Sequence, residues 1–594
     1  MKREEIDNKL KWDLSKIYES KKLWQDDYEK LGKLINKLDK YKGKLYDNAN
    51  NLYELLRLED EMEILFSKLS FYAYLNKDVN LNSSNAQQLC GLLDKYNILL
   101  SEKTSYIMPE LLTGDMNIIN KFEKENEKLK EYHFMFENLF RYKNHTLSEK
   151  EERVLNIISS SLEAPSEISS VLRDNDIDFG MIKDETGNLV KLTNNNYSLF
   201  IESPKQAVRK EAFLKLHNTY KEYQNVLAVS YKHTIENMYN LSMLKNYKSS
   251  LEYSLYSDNI NEKVYDNLVK TVNENLNVLH KYYKFKKDAL NKKELNLYDV
   301  YASMVKSSPK KYSLEEAKEL ILNTFSIFGE DYTNKLKYMF DNSYIDYMPH
   351  DSKRSGAYSS TIYGVHPYVL LNYNGKYDDV STLAHELGHA MHGVYSCENN
   401  PYVYHDTSIF IAEVASTVNE LLLANYVFNH SNDKKEKLYI LDKTLELIRA
   451  TLFRQTMFAE FERDMHTLNQ NNEVITYELL NTKYYELNKK YFGSSVNVNK
   501  EIEIEWARIP HFYTPFYVYK YATGISASIA IVSKILNNEK NAVENYIKFL
   551  KLGSSVYPID ALKVAGVDME NKSAIQDAVN YFDKLLNEYK KLNK

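Results

Sequence analysis

From residue 20 to residue 175 the apolar positions recur every three or four residues, the spacing that gathers them on one side of an α-helix. Val154, Ile157, Ile158 and Leu162 repeat it behind Ser148 and Glu151, a serine and glutamate at capping-box spacing. The pattern predicts a helical lobe. It breaks between Asp178 and Thr193, where the runs Phe179-Gly-Met-Ile and Leu189-Val-Lys-Leu flank the turn-rich Lys183-Asp-Glu-Thr-Gly-Asn. Two short apolar runs about such a centre predict a β-hairpin at about residues 178–193, closing an N-terminal lobe of residues 1–200 before a second domain of residues 201–594.

Ser203-Pro204 supplies an N-cap with proline at the first helical position, and helical spacing resumes to about residue 340, with a second capping box at Ser313 and Glu316. A larger break runs from Asp341 to Lys376 and collects Gly356, Gly364, Gly375, Pro349 and Pro367. Within it, Pro367-Tyr-Val-Leu-Leu-Asn-Tyr is a β-rich run with proline at its start, which predicts an edge strand. Another proline-bearing break, Arg508-Ile-Pro-His-Phe-Tyr-Thr-Pro, precedes the last helices. Ala522 to Val532 is too short to span a bilayer, which takes about 20 helical residues, and reads as a buried helix.

Composition agrees with a mainly α-helical protein. In 594 residues there are 16 glycines and 10 prolines, roughly a third of average usage. The 83 acidic and 77 basic residues are dispersed, giving a net charge of −6 with no basic stripe to attract nucleic acid. Only Cys90 and Cys397 are present, too few for a disulfide framework. The first twenty residues hold no apolar signal core, so the reading is a cytoplasmic protein without a membrane partner. Tyrosine is abundant at 51 residues, and most of that excess has no reading beyond composition.

The chemistry concentrates in one helix, expected at about residues 379–396, which reads His385-Glu-Leu-Gly-His389-Ala-Met-His392. Histidines at i and i+4 share a helical face, so His385 and His389 can reach one Zn²⁺ while Glu386 serves as general base toward its water. With 14 histidines and 83 acids in the chain, chance yields about 0.05 such patterns. A catalytic zinc needs a third protein ligand. His392 shares the face, but three histidines over seven residues span about 10 Å of helix axis and do not converge on one ion. Glu413, in a new helix opening near Thr407-Ser408, is the better candidate, with His392 left as a pocket residue or alternative ligand. Glu420, two turns beyond Glu413 on the same face, is a solvated acid or a support for the site.

These residues carry a resemblance. Glu413-x-x-Ser416 behind the HExxH helix, Gly356-Ala-Tyr-Ser and the Pro367–Tyr373 run before it, and His511-Phe-Tyr-x-x-Phe-Tyr-Val-Tyr-x-Tyr-Ala-Thr-Gly524 after it resemble the oligoendopeptidase F group of the thimet oligopeptidase family. The opening Trp12-Asp-Leu-Ser-x-Ile-Tyr18 is similar too, so the likeness covers nearly the whole chain. It implies a two-lobed, zincin-like metallopeptidase with a deep central channel and a small β-sheet beside the zinc helix. It also implies one zinc per chain on His385, His389 and Glu413, and short peptides as substrates. Gly356, Ala357, Tyr358, Tyr368 and Tyr513 are then expected to bind peptide, with the strand near Tyr368 adding it by main-chain hydrogen bonds.

Peptide hydrolysis also needs donors for the developing oxyanion, and the likeness points to His511, then Tyr517 and Tyr521. The resulting expectation is a zinc endopeptidase acting through Glu386. A zinc exopeptidase and a non-catalytic peptide-binding protein on the same scaffold are the alternatives, and the sequence leaves the oligomeric state open.

Overall fold

The computed structural model describes residues 2–305 and 310–593. The chain divides into two compact units, each mainly helical and each assembled from three separate stretches. One comprises Met1–Asn144, Lys310–Tyr426 and Lys534–Gly566; the other comprises His145–Pro309, Val427–Ser533 and Val567–Lys594. A division at residue 200 follows chain order, whereas these units form because the chain leaves the first, builds most of the second and returns. Among the described residues no helix is long and apolar enough to cross a membrane.

In the first unit, the 30-residue helix Ala49–Asp78 starts where the Asn48 side chain accepts a hydrogen bond from the Asn51 amide at 3.0 Å. It buries Leu52, Leu55, Leu56, Met62, Leu65 and Leu69 along one side, the three-to-four spacing of a core-facing stripe. The unit's sheet has three strands, β1 (Ile345–Asp346), β2 (Tyr358–Ile362) and β3 (Val365–Leu370), in the order β1-β3-β2. β3 pairs parallel with β1, through Val369 and Leu370, and antiparallel with β2.

The proline-bearing run is therefore the central strand, and β2 is an edge; the edge-strand expectation is corrected. The reason lies in register. Pairing with β2 slips between Ser360 and Ile362, opposite His366 and Pro367, and pairing with β1 begins only at Val369. Pro367 lies at this irregularity, where its missing N–H costs no ladder hydrogen bond.

Two long helices follow the sheet. Helix α1 (Tyr377–Asn399) begins two residues before the expected Asp379, because Asp379 is its capping acid: Oδ2 accepts from the amides of Lys376 at 2.8 Å and Asn374 at 3.0 Å. Helix α2 is Ile409–His430. Glycines on α1 let its neighbours approach. A Cβ on Gly393 would lie 2.1 Å from the Thr361 hydroxyl on β2, and one on Gly388 would lie 2.5 Å from the Ser416 Cα on α2.

In the second unit the expected hairpin is present, Met181–Lys183 pairing antiparallel with Leu189–Lys191. The helix Glu149–Val171 carries the Ser148–Glu151 capping box, but its regular spacing does not mark a buried face. Val154, Ile157 and Ile158 are 57%, 70% and 40% exposed. Ala522 to Val532 is helical and its apolar side chains are buried, as expected.

Candidate active site

Helices α1 and α2 build one site within the first unit. His385 and His389 sit one turn apart on α1, and α2 crosses where Gly388 meets the backbone of Ala415 and Ser416. That crossing sets Glu413 against both imidazoles. His385 Nε2 lies 3.2 Å from His389 Nε2 and 3.4 Å from Glu413 Oε2, and His389 Nε2 lies 3.5 Å from the same oxygen. Among the described residues these three form a group that could hold a metal ion, their donor atoms within 4.8 Å of one another.

The donor set fits zinc. Two imidazole nitrogens and one carboxylate oxygen are borderline ligands that suit it. Bonds of about 2.0–2.1 Å in a tetrahedron put ligand atoms about 3.3 Å apart, which is the spacing present. Three protein ligands would leave a fourth position for water or substrate.

Glu420, left open by the sequence, has a defined contact. Its Oε1 lies 2.6 Å from His385 Nδ1, which turns Nε2 toward the metal group, and the Ser381 hydroxyl donates to its Oε2 at 3.4 Å. Its position seven residues beyond Glu413 was the sequence signal. Ser416 donates to the Glu413 carboxylate at 3.2 Å, and Asn419 ties α2 to α1 by donating to the Ala384 carbonyl at 3.0 Å.

The electrostatics favour positive charge at this point. Burial opposes a charged His385, yet the Glu420 hydrogen bond and charge, with Glu386 and Glu413, hold its pKa up at about 9. Glu413 is held down at about 2, chiefly by its hydrogen bond to His389. Burial pushes the Glu386 carboxyl above its usual value, against the opposing pull of the two histidines. His392 is outside the group. It is buried against the Phe549 ring, and burial drives its pKa down to about 3.

The remaining expected residues fall into separate settings. Gly356 lies before β2 with φ +84°, a left-handed conformation that favours glycine, and its carbonyl accepts from Asn372 at 2.8 Å. Ala357 is half-buried beside it, and Tyr358 opens β2 with its hydroxyl committed to Asp78 at 2.7 Å. Tyr368 is fully buried between Trp12 and Tyr344, donating to the Asp13 carbonyl at 2.8 Å. It lies on β3, the central strand, and not on a sheet edge.

In the second unit His511, Tyr517 and Tyr521 form one aromatic cluster. The His511 and Tyr517 rings stack at 5.8 Å, and the Tyr521 hydroxyl lies 3.4 Å from His511 Nε2. Burial lowers the His511 pKa, and the neighbouring Arg173 charge adds to this. Tyr513 turns to other partners, its ring 6.1 Å from that of Tyr231 and beneath the Arg173 guanidinium.

Paired imidazoles on one helix, an intervening glutamate and a carboxylate from a crossing helix are the arrangement of a metal-dependent hydrolase. Comparison with known proteins agrees. The model of peptidase family M3 matches residues 199–581, and that of the oligopeptidase F N-terminal region matches residues 110–179. Oligopeptidase PepF of Bacillus subtilis is 43% identical over 99% of this chain and 88% of its own length. An oligoendopeptidase F homolog of Lactococcus lactis is 36% identical over 99% of this chain and 98% of its own. The crystal structure of oligoendopeptidase-F from Enterococcus faecium, 32% identical, superposes with a TM-score of 0.75 over 96% of this chain and 99% of that one. The chain belongs to peptidase family M3 and is a metallo-oligopeptidase of the oligoendopeptidase F type.

Proposed function

We propose that the protein is a zinc-dependent endopeptidase that cuts internal bonds of short peptides, with His385, His389 and Glu413 holding one zinc per chain and Glu386 as general base. The convergence of three donor atoms at tetrahedral-edge spacing supports this reading above all else. Bound zinc supplies an acidified water and polarises the scissile carbonyl.

Glu386 takes a proton from the attacking water and returns it to the leaving amine nitrogen. Its burial, which favours the protonated carboxyl, suits the second half of that task. Glu420 fixes the ring orientation of His385, and Ser416 fixes the Glu413 carboxylate. His511, Tyr517 and Tyr521 offer hydrogen-bond donors of the kind that stabilise negative charge on a scissile carbonyl oxygen. β2, as the sheet edge, replaces the central strand as the element to which a peptide adds, with Gly356, Ala357 and Tyr358 at its start. Two free cysteines accord with a reducing, cytoplasmic setting.

The test is a fluorogenic peptide blocked at both termini. The wild type cuts it at an internal bond, and E386Q, loaded with one zinc per chain, loses about 10²–10⁴-fold in kcat. Equal turnover by zinc-loaded E386Q would overturn the mechanism, and cleavage only of peptides with a free terminus would make the protein an exopeptidase.

A further inference from the structure

The three-stranded sheet of the first unit has two edges, and one is already covered. Beside β1, the Asp13 amide donates to the Ser343 carbonyl at 2.7 Å and the Tyr347 amide to the Leu10 carbonyl at 3.0 Å, so the N-terminal segment lies along it. Among the described residues β2 pairs only with β3 and is the remaining edge. It runs beside α1 in the same direction: Thr361 fits against Gly393, and Tyr363, directly after β2, donates from its hydroxyl to the Asn400 carbonyl at 3.1 Å. A strand rises about 3.3 Å per residue and a helix about 1.5 Å. Tyr358, three residues before Thr361, is therefore level with a point about seven residues before Gly393, between His385 and His389. The start of β2 lies alongside the metal group.

One buried acid holds that start. Asp78 is the last residue of helix Ala49–Asp78 and is 6% exposed. A helix C-terminus carries partial negative charge, so an acid there opposes the helix that bears it, and burial disfavours the carboxylate further unless it is paired. Both effects are offset by partners at the entry to β2. The Tyr358 hydroxyl donates to Asp78 Oδ2 at 2.7 Å, and Arg354 Nη1 lies 3.3 Å from the same oxygen. The Arg354 guanidinium also lies 5.5 Å from the Tyr358 ring centroid, and its amide donates to the Asp78 carbonyl at 2.8 Å. The loop before β2 has other ties, from Leu81 and Asn82 to Ser352 and from Asn372 to the carbonyls of Arg354 and Gly356. Those bonds hold the loop, whereas the Tyr358 bond holds the strand itself. Every residue named belongs to the first unit.

We propose that Asp78 is a positioning residue for substrate: through Tyr358 and Arg354 it fixes the start of β2, so that the strand's outward main-chain groups meet a bound peptide in one register beside the metal group. The proposal rests on the reading that a peptide adds to β2. Main-chain pairing supplies affinity through the peptide backbone, and it does so best when the receiving strand is already fixed before binding. A contact that supports the bound peptide in ground and transition states alike shows its loss in KM rather than in kcat.

The experiment uses the intact zinc enzyme and a fluorogenic peptide blocked at both termini, with matched peptides N-methylated at one amide at a time. In the wild type, methylation of at least one amide near the cut is expected to raise KM about tenfold, the mark of main-chain pairing. D78A is expected to raise KM for the unmodified peptide about tenfold, to keep kcat within about twofold and one zinc per chain, and to bring the methylation penalty down toward one. D78N, which keeps an acceptor for Tyr358 without the charge for Arg354, is intermediate. Y358F behaves as D78A does, and the double variant is no worse than either single one. A wild-type KM, an undiminished methylation penalty or a loss of zinc in folded D78A would overturn the proposal; should D78A not fold, the same result in Y358F does so. If methylation has no effect at any position in the wild type, the β2 reading itself fails and this proposal falls with it.

Discussion

Gly388 and Ser416 touch backbone to backbone: a Cβ on Gly388 would stand 2.5 Å from the Ser416 Cα and 2.7 Å from the Ala415 carbonyl oxygen. This closeness sets the α1–α2 separation at the height of the metal group, since His389 and Glu413 are within one turn of the two contact points. G388A tests it. Mid-helix, alanine is favoured over glycine by about 1 kcal/mol, but overpacking of fixed backbone costs about 1–3 kcal/mol, and the backbone here has no flexible side chain to yield. The variant is expected to melt at a lower temperature and to carry less than one zinc per chain by elemental analysis. Unchanged stability with full zinc would separate the contact from the site.

Glu420 bears on the metal group through its hydrogen bond to His385. E420Q keeps an acceptor of similar shape but removes the charge that supports the imidazole. Zinc affinity, measured by competition with a chromophoric chelator, is expected to fall about 10- to 100-fold, while the quenched-peptide activity recovers at saturating zinc. Wild-type affinity in E420Q would reduce Glu420 to a surface acid.

Removal of metal gives a coarser check. Dialysis against a strong chelator is expected to abolish peptide cleavage, and one equivalent of zinc to restore it. Because unfolded chain has no assembled site, the metal-free protein should also melt at a lower temperature. Full activity with less than 0.1 zinc per chain, an arbitrary threshold of about a tenth, would rule out a metal-dependent reaction.

Two buried groups one helical turn apart give opposing pH dependences. Among the described residues His466 has no hydrogen-bond partner at either nitrogen, and burial drives its pKa down to about 3. Below about pH 6.5 the unfolded chain takes a proton that the native His466 does not, so stability falls with pH from about 6.5 toward 3, by up to about 1.4 kcal/mol per unit. Glu462, one turn earlier, is sealed, and burial pushes its carboxyl well above its usual value. The native state therefore keeps a proton that the unfolded chain loses above about pH 4.3, so this group lowers stability as pH rises. Urea unfolding should show H466L flattening the acid limb and E462Q stabilising the protein at pH 7 and above. The same pH profile in wild type and both variants would contradict the assignment.

Much of the site was legible because its signals are local. An i, i+4 histidine pair lies within one helix, and its spacing alone puts both rings on one face. What the spacing could not show is tertiary. Pro367 reads as an edge marker until the slip in the opposite strand is seen, and the ladder there leaves its missing N–H without cost. Val154, Ile157 and Ile158 have helical periodicity, but periodicity names a face without naming what covers it. Gly388 is one glycine among 16, and its purpose depends on Ser416, 28 residues further on in another helix. The two compact units were hidden for a related reason, since each depends on chain that returns after a long excursion.

The central claim is that His385, His389 and Glu413 hold one catalytic zinc, and anomalous scattering from crystals of the zinc-loaded protein, recorded on both sides of the zinc absorption edge, tests it most directly. The account predicts one peak per chain, about 2.0–2.2 Å from His385 Nε2, His389 Nε2 and a Glu413 carboxylate oxygen. A peak bonded instead to His392 or Glu420, or no peak between α1 and α2, would contradict it.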